Sequence, residues 1–468
     1  MRHIQGDSRQ QSTLFPESLD EYVSADNPVR VIDAFIDSLD TCELGFSLAT
    51  TKDTGRKPYH PADLLKLYVY GYLNQVRSTR RLEKECHRNV EVLWLMKRLA
   101  PDFKTVANFR QQNSLAIQQA CKAFIQFCRE AKLLDGRLIA IDGSKFKAAA
   151  SMSKTYNRKQ LDALQKRLNR KIHGYLEELA RSEQAENEAT QGSVQEALNK
   201  LRNRQKRLDV LAQELDENNA TQCCETEPEA KRMRSGRDGI VVGYNIQTAV
   251  ESETGLIIHH EVTQEGSDNR QLEPMAKAAK SELGVEKLKV LADAGYSNGE
   301  QLARCEEEEI EPVVPPNRAV NSQGDFYQKN DFHYDKKRDC FICPAGKELT
   351  HQTYHSAKKI HLYARTGCSG CPLQSRCTKV DKRWISRHFF EEALERSADR
   401  VRENPELMRH RSAVVERPFA HLKQIMGLRR FQCWGKEGAK AEMGLAVMAY
   451  NLNRMINELG VERLMRLI

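Results

Sequence analysis

The sequence predicts a mixed α/β protein in which helical modules flank and interrupt a central β-sheet. Residues 58 to 130 carry apolar side chains at helical spacing. Between residues 138 and 314, short β-type runs are followed by an alternation of helices and strands, as the crossovers of a mixed sheet require. Five cysteines crowd between Cys340 and Cys377, which indicates a separate small module resembling a zinc ribbon.

Length and charge limit the possible classes of protein. A chain of 468 residues is long enough for two to four modules. Its 29% of charged residues and formal charge of +8 are typical of a globular protein and suit a nucleic-acid partner. No run reaches the roughly 18 apolar residues of a membrane helix, and the first residues, MRHIQGDSRQQ, have no signal-peptide core. We therefore expect a cytoplasmic protein with no membrane partner.

The first 135 residues are predicted to form a helical domain. Apolar side chains fall on one helical face near its start, at Leu64, Leu65, Tyr68 and Tyr72. Arg80 and Arg81 belong to a basic cluster between two apolar helices, as a helix-turn-helix-like reader of DNA requires. A solvated basic surface is the alternative interpretation.

A short β-type run, Leu138 to Ile141, is predicted to deliver Asp142 at its end, with Gly143 opening a turn. Residues 157 to 236 then interrupt the sheet. Leucines at spacings of three and four predict two amphipathic helices, and Ser193 with Glu196 forms a capping box for the second. This insertion is expected to be a helical hairpin that buries its own seam, rather than one that pairs with another copy or grips DNA.

The segments after the hairpin complete the predicted core. They are two strands joined by a turn, a helix, a buried strand ending in Asp293, a second helix and a short strand: residues 240 to 250, 256 to 262, 269 to 283, 288 to 292, 298 to 309 and 312 to 314. Three strands in a meander followed by α/β crossovers are what an RNase H-like mixed sheet needs.

Three carboxylates stand out. Asp142 lies in IAIDGSKF, Asp293 follows the apolar run VLA, and Glu416 lies on a helix with a largely apolar face. Singly, such residues are usually turn or surface groups. Together they suit phosphodiester cleavage with two metal ions, which needs carboxylates from separate elements, and hard oxygen ligands select Mg²⁺ or Mn²⁺.

The chain resembles the IS1182 group of bacterial insertion-sequence transposases, which is related to the IS4 and IS5 families of DDE transposases. The blocks ADAGYSNGEQL and VERPFAHLKQIMG resemble those that carry the second Asp and the Glu of this group. GIVVGYNIQTAVE resembles its second strand, and STRRLEKECHRNVEVLWLMKRLAPDFKTVANFR resembles its helical domain. The resemblance covers nearly the whole length.

This resemblance implies a catalytic triad that holds two Mg²⁺ or Mn²⁺ ions: Asp142, Asp293 and Glu416. It implies DNA contacts by Lys423, Arg411 and Tyr296, although Arg409 and Ser412 depart from the wider IS4 pattern. The expected partners are double-stranded DNA, as terminal inverted repeats and as target, and a second copy of the chain assembled on it. The expected location is the bacterial cytoplasm, in association with the nucleoid.

The cysteine cluster has the CxxC spacing of a tetrahedral, structural zinc site. Five thiols are one too many for four ligand positions. The resemblance favours Cys343, Cys368, Cys371 and Cys377, and Cys340 in place of Cys377 is the alternative.

The sequence therefore predicts a discontinuous RNase H-like core, whose first two segments are residues 136 to 156 and 237 to 318. The hairpin of residues 157 to 236 and a cysteine-rich insertion of residues 319 to 385 interrupt the core, and C-terminal helices of residues 386 to 468 complete it. The predicted function is metal-dependent strand cleavage and strand transfer. The alternatives are an RNase H-like nuclease that does not join DNA, and a zinc-containing DNA-binding regulator.

Overall fold

A computed structural model of the chain describes residues 18–50, 57–184, 188–217, 220–236, 238–317 and 326–468. The first residues of the chain and the predicted boundary at residue 319 lie outside these ranges. Within them, no helix combines the length and the apolar character needed to cross a membrane.

Six α-helices form the described N-terminal part, and the last five of them lie in the run of short helices predicted for residues 58 to 130. They are α1 (Pro28–Asp37), α2 (Pro61–Leu73), α3 (Thr79–Arg88), α4 (Val90–Leu95), α5 (Phe103–Gln112) and α6 (Ser114–Glu130). Local sequence sets their starts, because the Asn27 side chain accepts the backbone N–H of Val29 and the Asp102 side chain caps α5. Their buried face is continuous with the core of the sheet.

The central sheet contains six strands: β1 (Leu138–Lys147), β4 (Lys231–Ser235), β5 (Gly239–Glu251), β6 (Ile257–Thr263), β7 (Leu288–Leu291) and β8 (Ile310–Val313). β5 pairs antiparallel with β1, β4 and β6, whereas β1, β7 and β8 run parallel to one another. The resulting order is β4-β5-β1-β7-β8, with β6 also on β5. The predicted strands are thus present.

The length of β1 differs from the prediction. The strand continues to Lys147, so Asp142 lies within it and Gly143 opens no turn. The cause is the long partner strand β5, whose pairing with β1 extends from Glu251 to Gly243. Local turn chemistry at Asp142-Gly143 is overridden by this ladder.

Helices cover the sheet and close the core. They are α9 (Leu272–Leu283) and α10 (Gly299–Glu307) between strands, then α11 (Glu391–Glu403), α12 (Pro405–Ala420), α13 (Gly435–Leu459) and α14 (Val461–Leu467). A π-helical segment, His421–Ile425, continues α12 and follows the internal Pro418. α13 packs against α2, α6 and β6 and so joins the N-terminal helices to the sheet.

The insertion after β1 is a helical hairpin, as predicted. It comprises β2 (Thr155–Tyr156), α7 (Arg158–Gln184), α8 (Glu188–Glu217) and β3 (Cys223–Cys224). The leucines of the two helices form a separate apolar cluster. Two details differ: α8 begins at Glu188 rather than at Ser193, and Cys223–Cys224 pairs with β2 at the base of the hairpin.

The cysteine-rich region forms a second sheet of five antiparallel strands. They are β9 (His333–Asp335), β10 (Cys340–Ile342), β11 (Glu348–His355), β12 (Ile360–Thr366) and β13 (Lys382–His388). Neighbours in the chain are neighbours in the sheet, which therefore is a simple meander. A small aromatic cluster around Phe341 and Tyr363 fills its inner face.

Candidate active site

Strand register places two of the predicted carboxylates side by side. β1 and β7 are parallel, and Ala140 pairs with Leu291 at the last paired position. Asp142 and Asp293 each lie two residues further along, where β7 has ended and β1 continues beside β5 alone. Their carboxylates accept the backbone N–H of Gly143 and Gly295, both at 2.8 Å.

A single guanidinium lies between the two aspartates. Nη2 of Arg411, on α12, is 3.1 Å from Asp142 Oδ1 and 3.8 Å from Asp293 Oδ2. The Arg411 side chain is buried, and neither its Nε nor its Nη2 has a hydrogen-bond partner among the described protein atoms. The two carboxylates thus share one buried cation, to which they are held by charge rather than by directed hydrogen bonds.

Burial raises the pKa of Asp142 to about 6. Arg411 and the Gly143 N–H oppose this rise, while the nearby charges of Asp293 and Asp268 add to it. A carboxyl group with such a pKa has a strong need for a compensating cation when it is ionised.

Glu416 is not part of this cluster. It lies on α12 five residues after Arg411, which is more than a full turn, and its side chain is exposed. Across the described ranges, no group of three or more His, Cys, Asp or Glu side chains is placed to hold a metal ion. Two of the three predicted ligands therefore converge, and the third stands apart from them.

A polar network lies beneath the aspartates. Asp268 accepts hydrogen bonds from Asn245 Nδ2 at 2.7 Å and Gln247 Nε2 at 2.6 Å, and Lys145 Nζ is 3.3 Å away. Gln247 in turn accepts the hydroxyl of Tyr296 at 2.5 Å. This network joins the strand that carries Asp142 to the short turn that follows Asp293.

The network also explains Gly143. A Cβ at this position would lie 2.3 Å from Gln247 Nε2 and 2.6 Å from Asp268 Oδ1. Both atoms are held by hydrogen bonds and have little freedom to move. Only glycine lets β1 pass this close to the buried amides.

Two protein-family models match the chain. Residues 17–112, which include α1 to α5, match a family described as "Transposase domain (DUF772)". Residues 342–456 match a family described as "Transposase DDE domain", and this segment contains Arg411, Glu416 and Lys423.

These two matches indicate a DDE transposase of an insertion sequence. The IS1182 group fits an architecture in which the first of these domains precedes the second. The chain is therefore a DNA transposase and an enzyme, and its DDE domain implies the use of a divalent metal, typically Mg²⁺ or Mn²⁺.

Comparison with solved structures adds a distant similarity. A piggyBac transposase synaptic complex with hairpin DNA aligns with 94% of this chain and 79% of that chain, at 9% identity and a TM-score of 0.33. A similarity this distant supports no conclusion about the fold or the function of the chain. No curated protein matches the transposase sequence. Its assignment rests on the two family models.

Lys423 of the transposase lies against β1 beyond Asp142. Its Nζ donates to Ser144 Oγ at 2.6 Å and to the Lys145 carbonyl at 3.0 Å, and it lies 4.5 Å from the centre of the Phe146 ring. Burial lowers the pKa of Lys423. The amine is thus held near the aspartates by contacts within the protein, and a phosphate contact remains a prediction.

The other predicted DNA contacts have different surroundings. Tyr296 is fully buried beneath the two aspartates, and the DNA contact predicted for it remains untested. Arg80 and Arg81 are exposed on α3, and the Arg80 guanidinium lies 5.1 Å from the centre of the Phe103 ring. Arg77, which lies just before α3, donates to the Arg430 carbonyl at 3.2 Å and so links the start of this helix to the loop before α13.

Four of the five clustered cysteines line one cavity of about 620 Å³. They are Cys343, Cys368, Cys371 and Cys377. Burial and the three neighbouring thiols raise the pKa of Cys377. The N–H of Lys347 points to Cys343 Sγ at 3.3 Å, in a turn where Gly346 adopts a positive φ. Cys340 is buried in β10 and does not line the cavity.

Asp268, Asn245 and Gln247 were missed in the sequence analysis. A usable signal was present, because Asn245 and Gln247 are two residues apart in an otherwise apolar strand and so share one face of it. Buried amides on a strand face require polar partners. Nothing local pointed to Asp268, which reaches them from the loop between β6 and α9.

Proposed function

We propose that Asp142, Asp293 and Glu416 form the catalytic triad of this transposase and that the triad cuts and joins DNA at the ends of its element. The observation that carries this proposal is the convergence of Asp142 and Asp293, from adjacent parallel strands, on the single cation of Arg411. Two carboxylates that share one cation beside the end of β7 suit metal-dependent phosphodiester chemistry.

The sheet supports an RNase H-like core as the scaffold. Its strands β6, β5 and β1 form an antiparallel meander, and β7 and β8 continue it in parallel through α9 and α10. The sequence predicts a meander followed by crossovers for residues 136 to 156 and 237 to 318, and we propose that this sheet is RNase H-like. In it, the first and fourth strands of the core lie next to each other and carry the two aspartates.

The donor set fits a divalent metal. Carboxylate oxygens are the ligands that Mg²⁺ and Mn²⁺ prefer, and the pair already holds a positive charge between its members. Asp142 and Asp293 would hold the ions, with Glu416 joining them. When bound, such ions would activate water or a 3′-hydroxyl and stabilise the leaving oxygen.

Arg411 and Lys423 have separate roles in this proposal. Arg411 offsets part of the negative charge of the two aspartates, and it would leave them when a better cation arrives, because its guanidinium forms no directed hydrogen bond to them. Lys423 lies at the side of the same strand and would move its Nζ from Ser144 to a DNA phosphate. Both residues bring positive charge to the place where the backbone of the substrate must pass.

The remaining modules would bind DNA and stabilise the fold. The N-terminal domain of residues 1 to 135, with Arg80 and Arg81 exposed on α3, is proposed to bind the terminal inverted repeats. Two copies would assemble on DNA, because the two ends of an element must be held together. Residues 319 to 385 would hold a structural Zn²⁺, because four cysteines line one cavity: Cys343, Cys368, Cys371 and Cys377. In the described residues these cysteines do not stand as a ready metal-binding group, so zinc would have to draw them together.

A cleavage assay tests the triad. The substrate is labelled DNA that carries the flanking repeats of the encoding locus, incubated with Mg²⁺ or Ca²⁺. We expect Mg²⁺-dependent cleavage at the repeat ends and joining to a target. Asp142→Asn, Asp293→Asn and Glu416→Gln should each reduce the rate at least a thousandfold while DNA binding is retained.

Two matched controls keep this test specific. Asp135→Asn removes an exposed carboxylate just before β1, and Glu406→Gln removes one near the start of α12. Both should cleave at the wild-type rate. Cleavage that survives all three triad substitutions would place the active site elsewhere, and cleavage without joining would indicate a nuclease.

A further inference from the structure

The α7–α8 hairpin carries an uneven distribution of charge. Between Asp162 and Glu177, α7 has no carboxylate but has four cations: Lys166, Arg167, Arg170 and Lys171. Between Glu196 and Asp209, α8 likewise has no carboxylate but has five: Lys200, Arg202, Arg204, Lys206 and Arg207. In an ordinary solvated helix the two signs of charge are interspersed.

The antiparallel register brings the two basic runs to the same level. Gln165 Nε2 donates to Asp209 Oδ1 at 2.7 Å, and Gln205 Nε2 donates to Asn169 Oδ1 at 2.8 Å. Residues 166–171 therefore lie opposite residues 203–208. The two runs form one continuous band around the middle of the hairpin, which we call the basic belt.

Most of the belt cations form no close ion pair with the described carboxylates. Seven of its cations are exposed and have no carboxylate within ion-pair distance in the described part of the chain: Lys166, Arg167, Arg170, Lys171, Arg202, Lys206 and Arg207. The flanking levels differ. Arg158 pairs with Asp162 and Asp216 at the base, and Lys200, at the far end of the α8 run, pairs with Glu196.

The hairpin also has a defined base. Arg204, the belt cation that is not exposed, bonds to Glu225 and to the Tyr156 hydroxyl, and these residues belong to the segments that leave and re-enter the sheet. The leucine seam is buried between the helices, so the belt cations do not contribute to it. The belt is therefore presented on a supported surface and not on a free tail.

We propose that the basic belt binds the phosphate backbone of duplex DNA, independently of base sequence, during transposition. This proposal rests on the proposed function. At a rise of 1.5 Å per residue, each basic run spans about 8 to 10 Å, which covers two to three of the steps of about 3.4 Å between successive phosphates along one strand. Two runs side by side thus suit a length of DNA backbone and carry no means of reading base edges.

A membrane surface fits the belt less well. Binding to a membrane needs a wide apolar face on the helix beside the basic one, and the apolar side chains of this hairpin are largely buried in its own seam. The density of cations without partners favours a regularly charged polyanion. DNA is the polyanion on which a transposase acts.

The test measures DNA affinity against salt concentration. In the belt variant, four residues of α7 become glutamine: Lys166, Arg167, Arg170 and Lys171. The control variant carries the same change at four exposed cations outside the hairpin: Lys132, Lys287, Arg463 and Arg466. Fluorescence anisotropy with a labelled duplex gives the dissociation constant of wild type and both variants between 50 and 300 mM KCl.

The belt variant is expected to bind DNA at least about tenfold more weakly near 0.1 M salt, with a slope of log K against log salt that is smaller by about 2 to 3. The control variant should match wild type, and the far-ultraviolet circular dichroism of all three should agree. An unchanged slope for a folded belt variant would overturn the proposal.

A second measurement does not depend on removing charge. A photo-crosslinker attached at an Arg170→Cys substitution should label duplex DNA, whereas the same group at Arg463→Cys should not. The absence of a belt crosslink, when wild type cleaves the repeat ends, would refute the belt and leave the proposed function intact. A belt crosslink in a protein that cleaves no repeat ends would instead refute the proposed function.

Discussion

Replacing Asp142 with asparagine should make the central sheet more stable at neutral pH in the absence of metal. Burial raises the pKa of Asp142 from an ordinary value of 3.8 to about 6 in the folded protein. A carboxyl group with a raised pKa makes its full contribution to folding below about pH 3.8, where it is protonated in both the folded and the unfolded protein. This contribution is lost as the pH rises through about 6. Above that pH, the native protein carries the full cost of an ionised, buried carboxylate.

The size of the effect follows from the shift. One pKa unit corresponds to about 1.4 kcal/mol, so a shift from 3.8 to about 6 costs the native state about 3 kcal/mol at high pH. Asparagine does not titrate. The stability of Asp142→Asn relative to wild type should therefore grow by about 2 to 3 kcal/mol between pH 4 and pH 8.

Hydrogen exchange measures this difference on the strand concerned. The backbone amides of Ile139 to Ile141 are buried in β1, and their exchange reports the free energy of opening of the sheet. Variant and wild type are compared at the same pH, so that their intrinsic exchange rates cancel. A chelator is present throughout to keep metal ions from the site. The ratio of their rates should change about 50-fold between pH 4 and pH 8.

Asp135→Asn, which removes an exposed carboxylate just before β1, serves as the matched control and should leave the ratio constant. A ratio for Asp142→Asn that also stays constant, or that changes in the opposite sense, would refute the reasoning. It would mean that the attraction of Arg411 exceeds the cost of burying Asp142.

Two further predictions concern the scaffold. Gly243→Ala should destabilise the protein by about 3 kcal/mol, because the new Cβ would lie 1.8 Å from the Phe146 carbonyl oxygen. Gly174→Ala should instead stabilise α7 by up to about 1 kcal/mol, because its Cβ would meet no neighbour within 4 Å and alanine favours the helix more than glycine does. Thermal unfolding of both variants checks the pair, and equal effects would contradict it. Purified protein should contain about one zinc per chain by elemental analysis, and Cys343→Ser should lose it while Cys340→Ser keeps it. Protein without zinc under reducing conditions, or zinc lost equally from both variants, would contradict the ligand set.

Much of the fold could be predicted because its signals are local. Apolar spacing identified the N-terminal helices, the hairpin and the alternating elements of the core, and the Glu253-Thr254-Gly255 turn between β5 and β6 is present, with Gly255 at a φ of +71°. Boundaries were less accurate. β1 continues through Asp142 and Gly143, and Ser193 lies inside α8, because tertiary pairing and helix packing extend elements beyond their local stop and start signals.

The candidate site could be predicted only in part. The residue types at Asp142, Asp293 and Glu416 were recognisable, but the position of Arg411 between the two aspartates was not. The DNA contact expected of Arg411 stays a prediction. That position depends on how α12 packs across the ends of β1 and β7. A sequence pattern describes which face of a helix is buried, and it does not say which partner the face meets.

The sequence by itself determined the types of the elements, the positions of the carboxylates and the spacing of the cysteines, because each depends on a side chain and its near neighbours in the chain. Only the tertiary structure decided which distant residues meet. Parallel register put Asp142 beside Asp293, a strand-to-loop contact placed Asp268 beneath them, and antiparallel register joined two basic runs into the belt. Such encounters are fixed by the packing of whole elements, in which a shift of one residue in register would separate every pair.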